Sequence, residues 1–329
     1  MPQNNKIVII RISGVLASPT CGTEFLYPMT ATNAPTTVVA NDEMSQDQLD
    51  TRAVGTKTPK LTTYIETNDV NPLNAGEYYF CNTNPQEQVI DHVILFASNI
   101  RGNATSVWLH HNNNQTYILN NRATLIAPLQ AKGIKVLLGL LGDWTGVGFA
   151  NLTDAMIESF AQDIADCVTD NNLDGVDFDD EYADYYNAPS GLPSPSATIY
   201  GNLVQRVKQL LPNKLVTAFR YGYATSFNAT TLNALDYMWP DFGCNPSSPS
   251  GLGNDKWAKL STRVLSNTQT SPSQSIVQSC ANSYSGYGAV MFFNLRDYDC
   301  SSFMNYFASR VWGTGKTVCR TSTIYPKNY

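Results

Sequence analysis

The chain has 329 residues, of which 43% are hydrophobic and only 15% are charged, and its formal net charge is −6 at pH 7. This length suits one αβ barrel with an extension, and the hydrophobic content is sufficient for a large core. The acidic balance without a basic patch argues against nucleic acid as a partner, and no apolar run is long enough for a membrane span.

Cysteine usage and the N-terminus give little information on compartment. The seven cysteines include no CxxC pair, which argues against a structural zinc site, and their odd number leaves at least one thiol outside any internal disulfide. Which of them pair cannot be read from the sequence. The apolar run Lys6–Ile10 is short and is followed by Arg11, so it does not resemble a signal peptide. We favour an extracellular protein whose chain is already the mature form, with a cytosolic protein as the alternative if the chain is unprocessed.

The first 59 residues are the least informative part of the chain. Residues 31–60 are rich in Thr, Pro, Asn and Ala without a sustained hydrophobic period, which predicts an N-terminal extension, extended or partly disordered, over residues 1–59. The alternative is an accessory piece that packs on the main domain.

From residue 60 to residue 329, predicted strands alternate with helices or loops. The predicted helices are Ala123–Lys132, a segment from a cap at Asn151–Asp154 to about Val168, Ser196–Leu211, Ser271–Tyr284 with Ser271 as N-cap, and Ser301–Val311. The predicted strands are Leu61–Glu66, His92–Ala97, Ile134–Leu141, the acidic stretch from Leu173, Lys214–Tyr221, Leu235–Trp239, Ser261–Ser266 and Ala289–Leu295.

Eight strands in this alternation predict a (β/α)8 barrel. The rival is an open doubly wound sheet, but no Gly-rich phosphate loop follows the first strand. Only about a dozen residues separate the fifth and sixth strands, too few for a full crossover helix. We therefore expect an incomplete helix ring there, which would open one wall of the barrel to a bulky substrate.

The most informative stretch is residues 173–182, where acids recur at Asp177, Asp179 and Glu181. A period of two on a strand places these carboxylates on one face, where like charges drive pKa values apart. One protonated acid beside an ionised one is the arrangement that glycosidic cleavage needs. A calcium loop is the alternative, but its glycine would follow the first acids, and here Val176 and Phe178 replace polar residues. Glu181, at the expected strand end, is the candidate general acid and base.

These residues carry a resemblance. The run DGVDFDDE at 174–181 matches the DGxDxDxE signature of family 18 glycoside hydrolases, and LDGVDFDDEYADY is similar to bacterial endo-β-N-acetylglucosaminidases of the Endo H type. The departures are Gly139, where the family commonly has Ser, and Asp143-Trp144, where we expect Asn-His. The resemblance covers roughly residues 60–315, through Tyr64–Asn68, Asn71–Tyr79, Phe96–Ile100, Gly133–Leu138, Gly148–Asn151, Thr217–Gly222, Gly286–Gly288 and Asn294-Leu295.

The resemblance implies that the substrate's own 2-acetamido oxygen attacks the anomeric carbon, with no enzyme nucleophile and no cofactor. Glu181 would then be the acid and base, and Asp179 would accept the acetamide N–H and stabilise positive charge. Asp177 would share a proton with Asp179, or would be structural. Asp180 points to the opposite strand face and is not expected to be catalytic.

Six further residues are candidates for substrate binding. A Tyr237 hydroxyl on the acetamide carbonyl and a Trp239 indole under the sugar are expected at the end of strand six, with ordinary barrel core as the alternative. Trp144 could stack on a mannose arm, or be a surface tryptophan. The remaining candidates, at the ends of predicted strands, are Tyr221, Asn294 and Glu66.

The sequence therefore predicts a retaining glycosidase that cuts between the two core N-acetylglucosamines of N-linked glycans, free or on glycoproteins. The abundant aromatic and amide side chains suit a carbohydrate substrate. The alternatives are a chitinase on linear polymers and an inactive chitinase-like lectin, although the presence of Glu181 argues against the lectin. We expect a monomer without a metal, because none of the histidines lies in a metal-binding pattern.

Overall fold

A computed structural model describes residues 57–329 of the chain. Of the predicted N-terminal extension, only residues 57–59 lie within the described part. There, Lys57 forms an ion pair with Asp91, and the carbonyl of Pro59 accepts a hydrogen bond of 2.8 Å from the Trp312 indole. No helix among the described residues is long and apolar enough to cross a membrane.

The described residues form the predicted barrel. Its eight strands run parallel in consecutive order, and the bridge between Met238 and Trp257 joins the sixth strand to the segment that begins the seventh. The barrel strands are β1 (Lys60–Glu66), β4 (His92–Gly102), β6 (Lys135–Leu141), β7 (Gly175–Asp179), β8 (Leu215–Arg220), β9 (Tyr237–Pro240), β11 (Ala258–Ser266) and β13 (Ala289–Phe293).

The remaining strands extend or flank this barrel. An antiparallel strand pairs with β4, two others pair with β11, and three form a separate small sheet. A disulfide between Cys81 and Cys319 ties the small sheet together, and a second disulfide joins Cys244 to Cys280. These strands are β2 (Tyr78–Phe80), β3 (Glu87–Gln88), β5 (Val107–His110), β10 (Gly243–Cys244), β12 (Gln269–Ser271) and β14 (Val318–Arg320).

The longest helices cover the barrel beside the acidic strand. The Thr153 hydroxyl caps the first of these helices and accepts a hydrogen bond of 3.3 Å from the Met156 N–H. The Ser196 hydroxyl caps the second helix and accepts a hydrogen bond of 3.2 Å from the Ile199 N–H. The helices are α1 (Asn113–Asn120), α2 (Arg122–Leu125), α3 (Ala127–Ala131), α4 (Asp154–Asp170), α5 (Ala197–Leu210), α6 (Ala229–Ala234), α7 (Gln274–Ala281), α8 (Ser301–Met304) and α9 (Ala308–Val311).

Several helix predictions need correction. The segment predicted as one helix at Ala123–Lys132 is divided, because Pro128 lies in the first turn of α3 and lacks an N–H for the preceding turn. Ser271 is not an N-cap but the last residue of β12, and Ser273 precedes α7. The C-terminal segment Ser301–Val311 is likewise two short helices, and α1 was not predicted.

The helix ring is reduced between β8 and β9, as the short connection predicts. The only α-helix of the described chain at this position is α6, which has six residues and follows a 3-10 turn, against 17 residues in α4 and 14 in α5. The described chain between β9 and β11 contains β10 and a 3-10 turn but no α-helix. The barrel wall is therefore thinnest along β9.

The core has two parts, because alternate strand residues face opposite sides. Outside the strands, Phe149, Phe160 and Tyr200 pack between β7 and the helices α4 and α5. Inside the barrel, a smaller cluster includes Tyr64, Ile94, Leu137, Phe219, Trp239 and Met291. This inner cluster forms a floor beneath the carboxyl ends of the strands.

Candidate active site

A cleft of ≈ 540 Å³ opens at the carboxyl ends of the barrel strands. Parallel strands of a barrel direct the residues at their carboxyl ends into one shared depression, where active sites of this fold lie. The lining residues are charged or aromatic for the most part, and they include Glu66, Asp179, Glu181, Tyr182, Asp241 and Arg263.

Asp177 and Asp179 on alternate positions of β7, and Glu181 two residues beyond it, lead from the barrel interior to this cleft. Asp177 has no exposed surface and accepts hydrogen bonds from the Thr217 hydroxyl at 2.7 Å and the Tyr64 hydroxyl at 2.8 Å. Burial raises its pKa to about 6, although both hydrogen bonds oppose this shift. Asp177 is therefore a buried acid whose charge is held by two donors.

Asp179 and Glu181 face the cleft itself. Asp179 is 4% exposed, and burial, with the negative charges of Glu181 and Asp177, raises its pKa well above the ordinary value. Its Oδ1 accepts the Glu181 N–H at 3.1 Å. Glu181 lies two residues beyond β7 and is partly buried, and burial, followed by the charge of Asp241, raises its pKa. A raised pKa keeps a carboxyl protonated and able to donate.

Asp180 points away from the cleft, as strand alternation predicts. It accepts hydrogen bonds from the Tyr185 hydroxyl and from the Tyr223 N–H at 3.4 Å, behind the catalytic face. Burial raises its pKa to about 7. Asp180 thus joins the segment after β7 to the segment after β8.

Glu66 and Asn294 form one unit at the adjoining ends of β1 and β13. Glu66 lines the cleft, accepts a hydrogen bond from the Asn294 amide, and lies 3.4 Å from the Arg296 guanidinium. Burial nevertheless raises its pKa. Asn294 is fully buried behind Glu66, so it supports this carboxylate rather than lining the cleft.

The structure places Tyr237 and Trp239 outside the cleft and favours the alternative of barrel core for Trp239. Tyr237 is the first residue of β9, not near its end, and it lines a different cavity at the amino-terminal end of the barrel, 5.1 Å from the His92 ring. Trp239 is fully buried in the barrel interior, where its Nε1 donates to the Tyr64 hydroxyl at 2.7 Å. The predicted strand, Leu235–Trp239, begins and ends earlier in the chain than β9. Both side chains therefore lie nearer the amino-terminal end of the barrel than expected.

The other aromatic candidates lie at the cleft or its rim. Tyr221 lines the cleft, is 44% exposed, and stacks on Phe219 with ring centroids 5.8 Å apart. Trp144 is 66% exposed, and its ring lies 5.4 Å from that of Tyr182, which lines the cleft. These positions suit contacts with sugar rings.

Sequence reasoning missed several cleft residues. Asp241 follows β9 directly and lies in the cleft with Phe242, while Arg263 of β11 packs 5.0 Å above the Phe242 ring. The period of two that joins Tyr237 to Trp239 continues to Asp241 and could have identified it. Arg263 carried no comparable signal, because its place depends on the neighbouring strand.

The departure at Gly139 has a packing explanation. A Cβ at this position would lie 2.8 Å from Ile94 Cγ2 and 2.9 Å from the Leu95 carbonyl oxygen. The barrel interior at this level therefore has no space for a side chain. Within the described residues, no group of three or more His, Cys, Asp or Glu side chains is placed to hold a metal ion.

Comparison with known proteins identifies the family. Residues 60–238 match the model of glycosyl hydrolases family 18. The chain belongs to this family. The match includes β7, with Asp177 and Asp179, and the following Glu181, and it confirms the resemblance drawn from the DGVDFDDE run.

Two curated relatives and one solved protein extend the comparison. An endo-beta-N-acetylglucosaminidase of Flavobacterium sp. (strain SK1022) is 35% identical over 264 residues, which are 79% of this chain and 82% of that protein. Endo-beta-N-acetylglucosaminidase F1 of Elizabethkingia meningoseptica is 41% identical over 192 residues, 56% of each protein. These similarities make the chain an Endo H-type member of family 18.

The solved protein is EndoBT-3987 of Bacteroides thetaiotamicron. Its structure with a Man5GlcNAc product is 30% identical with a TM-score of 0.71, over 83% of this chain and 65% of that one. Its structure with a Man9GlcNAc2Asn substrate has a TM-score of 0.68 at 30% identity, over 83% of this chain and 70% of that one. This chain is thus similar to the greater part of EndoBT-3987, but not to all of it.

Proposed function

We propose that this protein hydrolyses the β-1,4 bond between the two core N-acetylglucosamines of N-linked glycans, with retention of anomeric configuration. The observation that carries the proposal is the line of three acids, Asp177 and Asp179 on β7 and a partly buried Glu181 just beyond it, that leads into the cleft. The raised pKa of Glu181 suits a group that must donate a proton first and accept one later.

In the first step, the acetamido oxygen of the sugar forms a bond to its own anomeric carbon. The glycosidic bond breaks, and the proton of Glu181 passes to the departing oxygen. Asp179 accepts the acetamide N–H and stabilises the positive oxazolinium ion. Because the attacking group belongs to the substrate, the chain needs no nucleophile of its own.

In the second step, water attacks the anomeric carbon and gives its proton to the carboxylate of Glu181. The bond from the acetamido oxygen to the anomeric carbon breaks, and the acetamido group is restored. Two displacements on the same carbon retain its configuration. Water must enter where the leaving sugar was, at the open end of the cleft.

The relatives support the choice of substrate. EndoBT-3987 has been solved with a substrate that carries two N-acetylglucosamines and with a product that carries one. A cut between these two sugars accounts for that difference. The short α6 and the thin wall along β9 leave room for a branched glycan at this chain's cleft.

The test is cleavage of a high-mannose glycoprotein, followed by gel shift and mass spectrometry. The wild type should leave a single N-acetylglucosamine on the protein, and Glu181→Gln should lower the rate by roughly 10²–10⁴-fold. Glu158→Gln is the matched control, because Glu158 is exposed on α4 and pairs with Arg206 far from the cleft. A chitin oligomer serves as a parallel substrate.

The outcomes separate the candidates. Cleavage of the chitin oligomer alone would replace the proposal with a chitinase. Cleavage of neither substrate, with glycan binding intact, would indicate a lectin. Full activity of Glu181→Gln would refute the assignment of the acid while leaving the substrate proposal in place.

A further inference from the structure

Trp144 and Tyr182 are large aromatic residues at the rim of the cleft. Trp144 is 66% and Tyr182 is 48% exposed, so neither contributes its whole ring to the core. Their ring planes meet at 49° with centroids 5.4 Å apart. Together they form a concave corner, which we call the aromatic corner, and its Tyr182 side continues into the cleft.

The backbone holds both residues in an unusual conformation. Trp144 has φ 55° and Tyr182 has φ 60°, in the left-handed region that bulky side chains rarely adopt. Backbone strain of this kind persists where the surrounding structure imposes it, and it is concentrated at functional sites. Nothing in the core requires it here, since both rings face outward.

Hydrogen bonds between two segments impose this geometry. The segment after β6 runs beside the segment after β7, with Trp144 N–H donating to the Tyr182 carbonyl at 2.8 Å. One step nearer the strands, Gly142 N–H donates to the Glu181 carbonyl at 3.0 Å. The aromatic corner is therefore attached to the backbone beside the candidate acid Glu181.

Polar groups stand beside the corner. Arg101 forms an ion pair with Asp143, the residue before Trp144, and their side chains are 38% and 26% exposed. The charge of Glu181 is the largest contribution that raises the pKa of Tyr182, which agrees with a ring beside the acid. Flat apolar faces next to exposed hydrogen-bonding groups suit a pyranose ring, which has an apolar face and a rim of hydroxyls.

We propose that the aromatic corner of Trp144 and Tyr182 binds a hexose in one arm of the branched glycan, outside the two sugars that are cut. This inference rests on the proposed function. It predicts that the corner contributes to recognition of branched substrates and contributes nothing to the cleavage of a core that lacks arms. Arm binding lowers KM for the branched glycan and leaves kcat unchanged.

The experiment compares kcat/KM on a branched high-mannose glycan and on a core trisaccharide with one mannose. Trp144→Asn removes the ring while Asn tolerates positive φ, and Trp144→Phe retains an aromatic face. Trp144→Asn should lower kcat/KM for the branched substrate roughly tenfold, through KM, with the trisaccharide unaffected, and Tyr182→Asn should lower kcat/KM more for the branched substrate than for the trisaccharide. Trp144→Phe should restore most of the loss.

Tyr186→Asn is the matched control. Tyr186 is 97% exposed and lies four residues after Tyr182, but it does not line the cleft. Tyr186→Asn should leave kcat/KM unchanged on both substrates. A thermal melt of each variant checks that the fold is intact.

Two results would overturn the inference. One is an unchanged kcat/KM on both substrates in Trp144→Asn and Tyr182→Asn. The other is an equal loss on both, which would mean that the segment only positions Glu181. Calorimetry of the branched glycan with Glu181→Gln, alone and combined with Trp144→Asn, tests arm binding without turnover. A wild type that cleaves neither glycan would refute the proposed function, while the calorimetric difference would still decide the corner.

Discussion

The hydroxyl of Tyr64 links two buried groups of the barrel interior, and its removal is a direct test of how Asp177 is held. It donates to Asp177 Oδ2 at 2.8 Å and accepts from Trp239 Nε1 at 2.7 Å. Tyr64→Phe keeps the ring in its cluster and removes only this oxygen. Both partners then lose a hydrogen bond in a place without exposed surface.

Two losses add in this variant. An indole N–H left unpaired in the core costs about 1–3 kcal/mol, and a hydrogen bond to an ionised carboxylate contributes about 1.5–3 kcal/mol. Thr217 still donates to Asp177 at 2.7 Å, so the carboxylate retains one partner. We expect the free energy of unfolding at pH 8 to fall by about 3–5 kcal/mol.

The loss should depend on pH. The folded-state pKa of Asp177 is about 6, above the 3.8 of an unperturbed group, so burial of this acid lowers stability progressively as pH rises from about 4 to 6. Removal of the Tyr64 donor raises the folded pKa further and extends this decline above pH 6. At pH 5 the acid is largely protonated, so the difference between variant and wild type should be smaller by about 1–2 kcal/mol.

Urea unfolding at pH 5 and pH 8, followed by tryptophan fluorescence, measures both values. Tyr200→Phe is the control, because Tyr200 is fully buried and its hydroxyl has no hydrogen-bond partner among the described residues. Its substitution should be neutral or stabilising. Equal losses for Tyr64→Phe at the two pH values, or a loss no larger than that of Tyr200→Phe, would refute the reasoning.

Two further predictions concern the strand that carries the acids. Burial raises the pKa of Asp180 from 3.8 to about 7. The free energy of unfolding should therefore fall by about 4 kcal/mol as pH rises between these values. Urea unfolding of Asp180→Asn should lack this decline. An unchanged pH slope would contradict this. A Cβ at Gly142 would lie 2.4 Å from the Glu181 carbonyl oxygen, so Gly142→Ala should displace that segment and lower kcat on both glycans at least tenfold. In the control Gly76→Ala, the new atom meets the flexible Lys132 side chain at 3.1 Å and should leave kcat unchanged.

The acidic strand was predictable because its signal is local. Alternation along β7 depends only on extended backbone, so the common face of Asp177, Asp179 and Glu181 and the opposite direction of Asp180 follow from spacing alone. The apolar runs that became β4 and β6 were predictable for the same reason. Their side chains are buried on both faces, as parallel strands require.

The error at Tyr237 shows where local reasoning ends. The strand expected at Leu235–Trp239 is Tyr237–Pro240, and this shift moves Tyr237 from the carboxyl end of the barrel to the amino end. The alternation of side chains along the strand still predicts that Trp239 faces the barrel interior. Continued by two residues, it places Asp241 on the same face. It contains no information about height along the barrel axis, which is set by pairing with β8.

Partners from distant strands could not be predicted at all. The chain of hydrogen bonds from Trp239 through Tyr64 to Asp177 joins residues that are 175 and 113 positions apart. These contacts exist because the sheet closes and brings β1, β7 and β9 around one interior. No spacing in the sequence encodes which inward side chains meet across that space.

The depth of each acid explains how three like charges can share one strand face. Asp177 accepts hydrogen bonds from two side-chain hydroxyls, whereas Asp179 accepts one from a backbone N–H. The negative charge of Asp177 therefore has more hydrogen-bond donors, while burial and the charges of Glu181 and Asp177 raise the pKa of Asp179. In the proposed mechanism, an ionised Asp179 becomes favourable when positive charge develops on the sugar, and Asp177, whose pKa is about 6, would accept the proton. In the proposed mechanism, this transfer would let Asp179 change its charge without exchange of a proton with solvent.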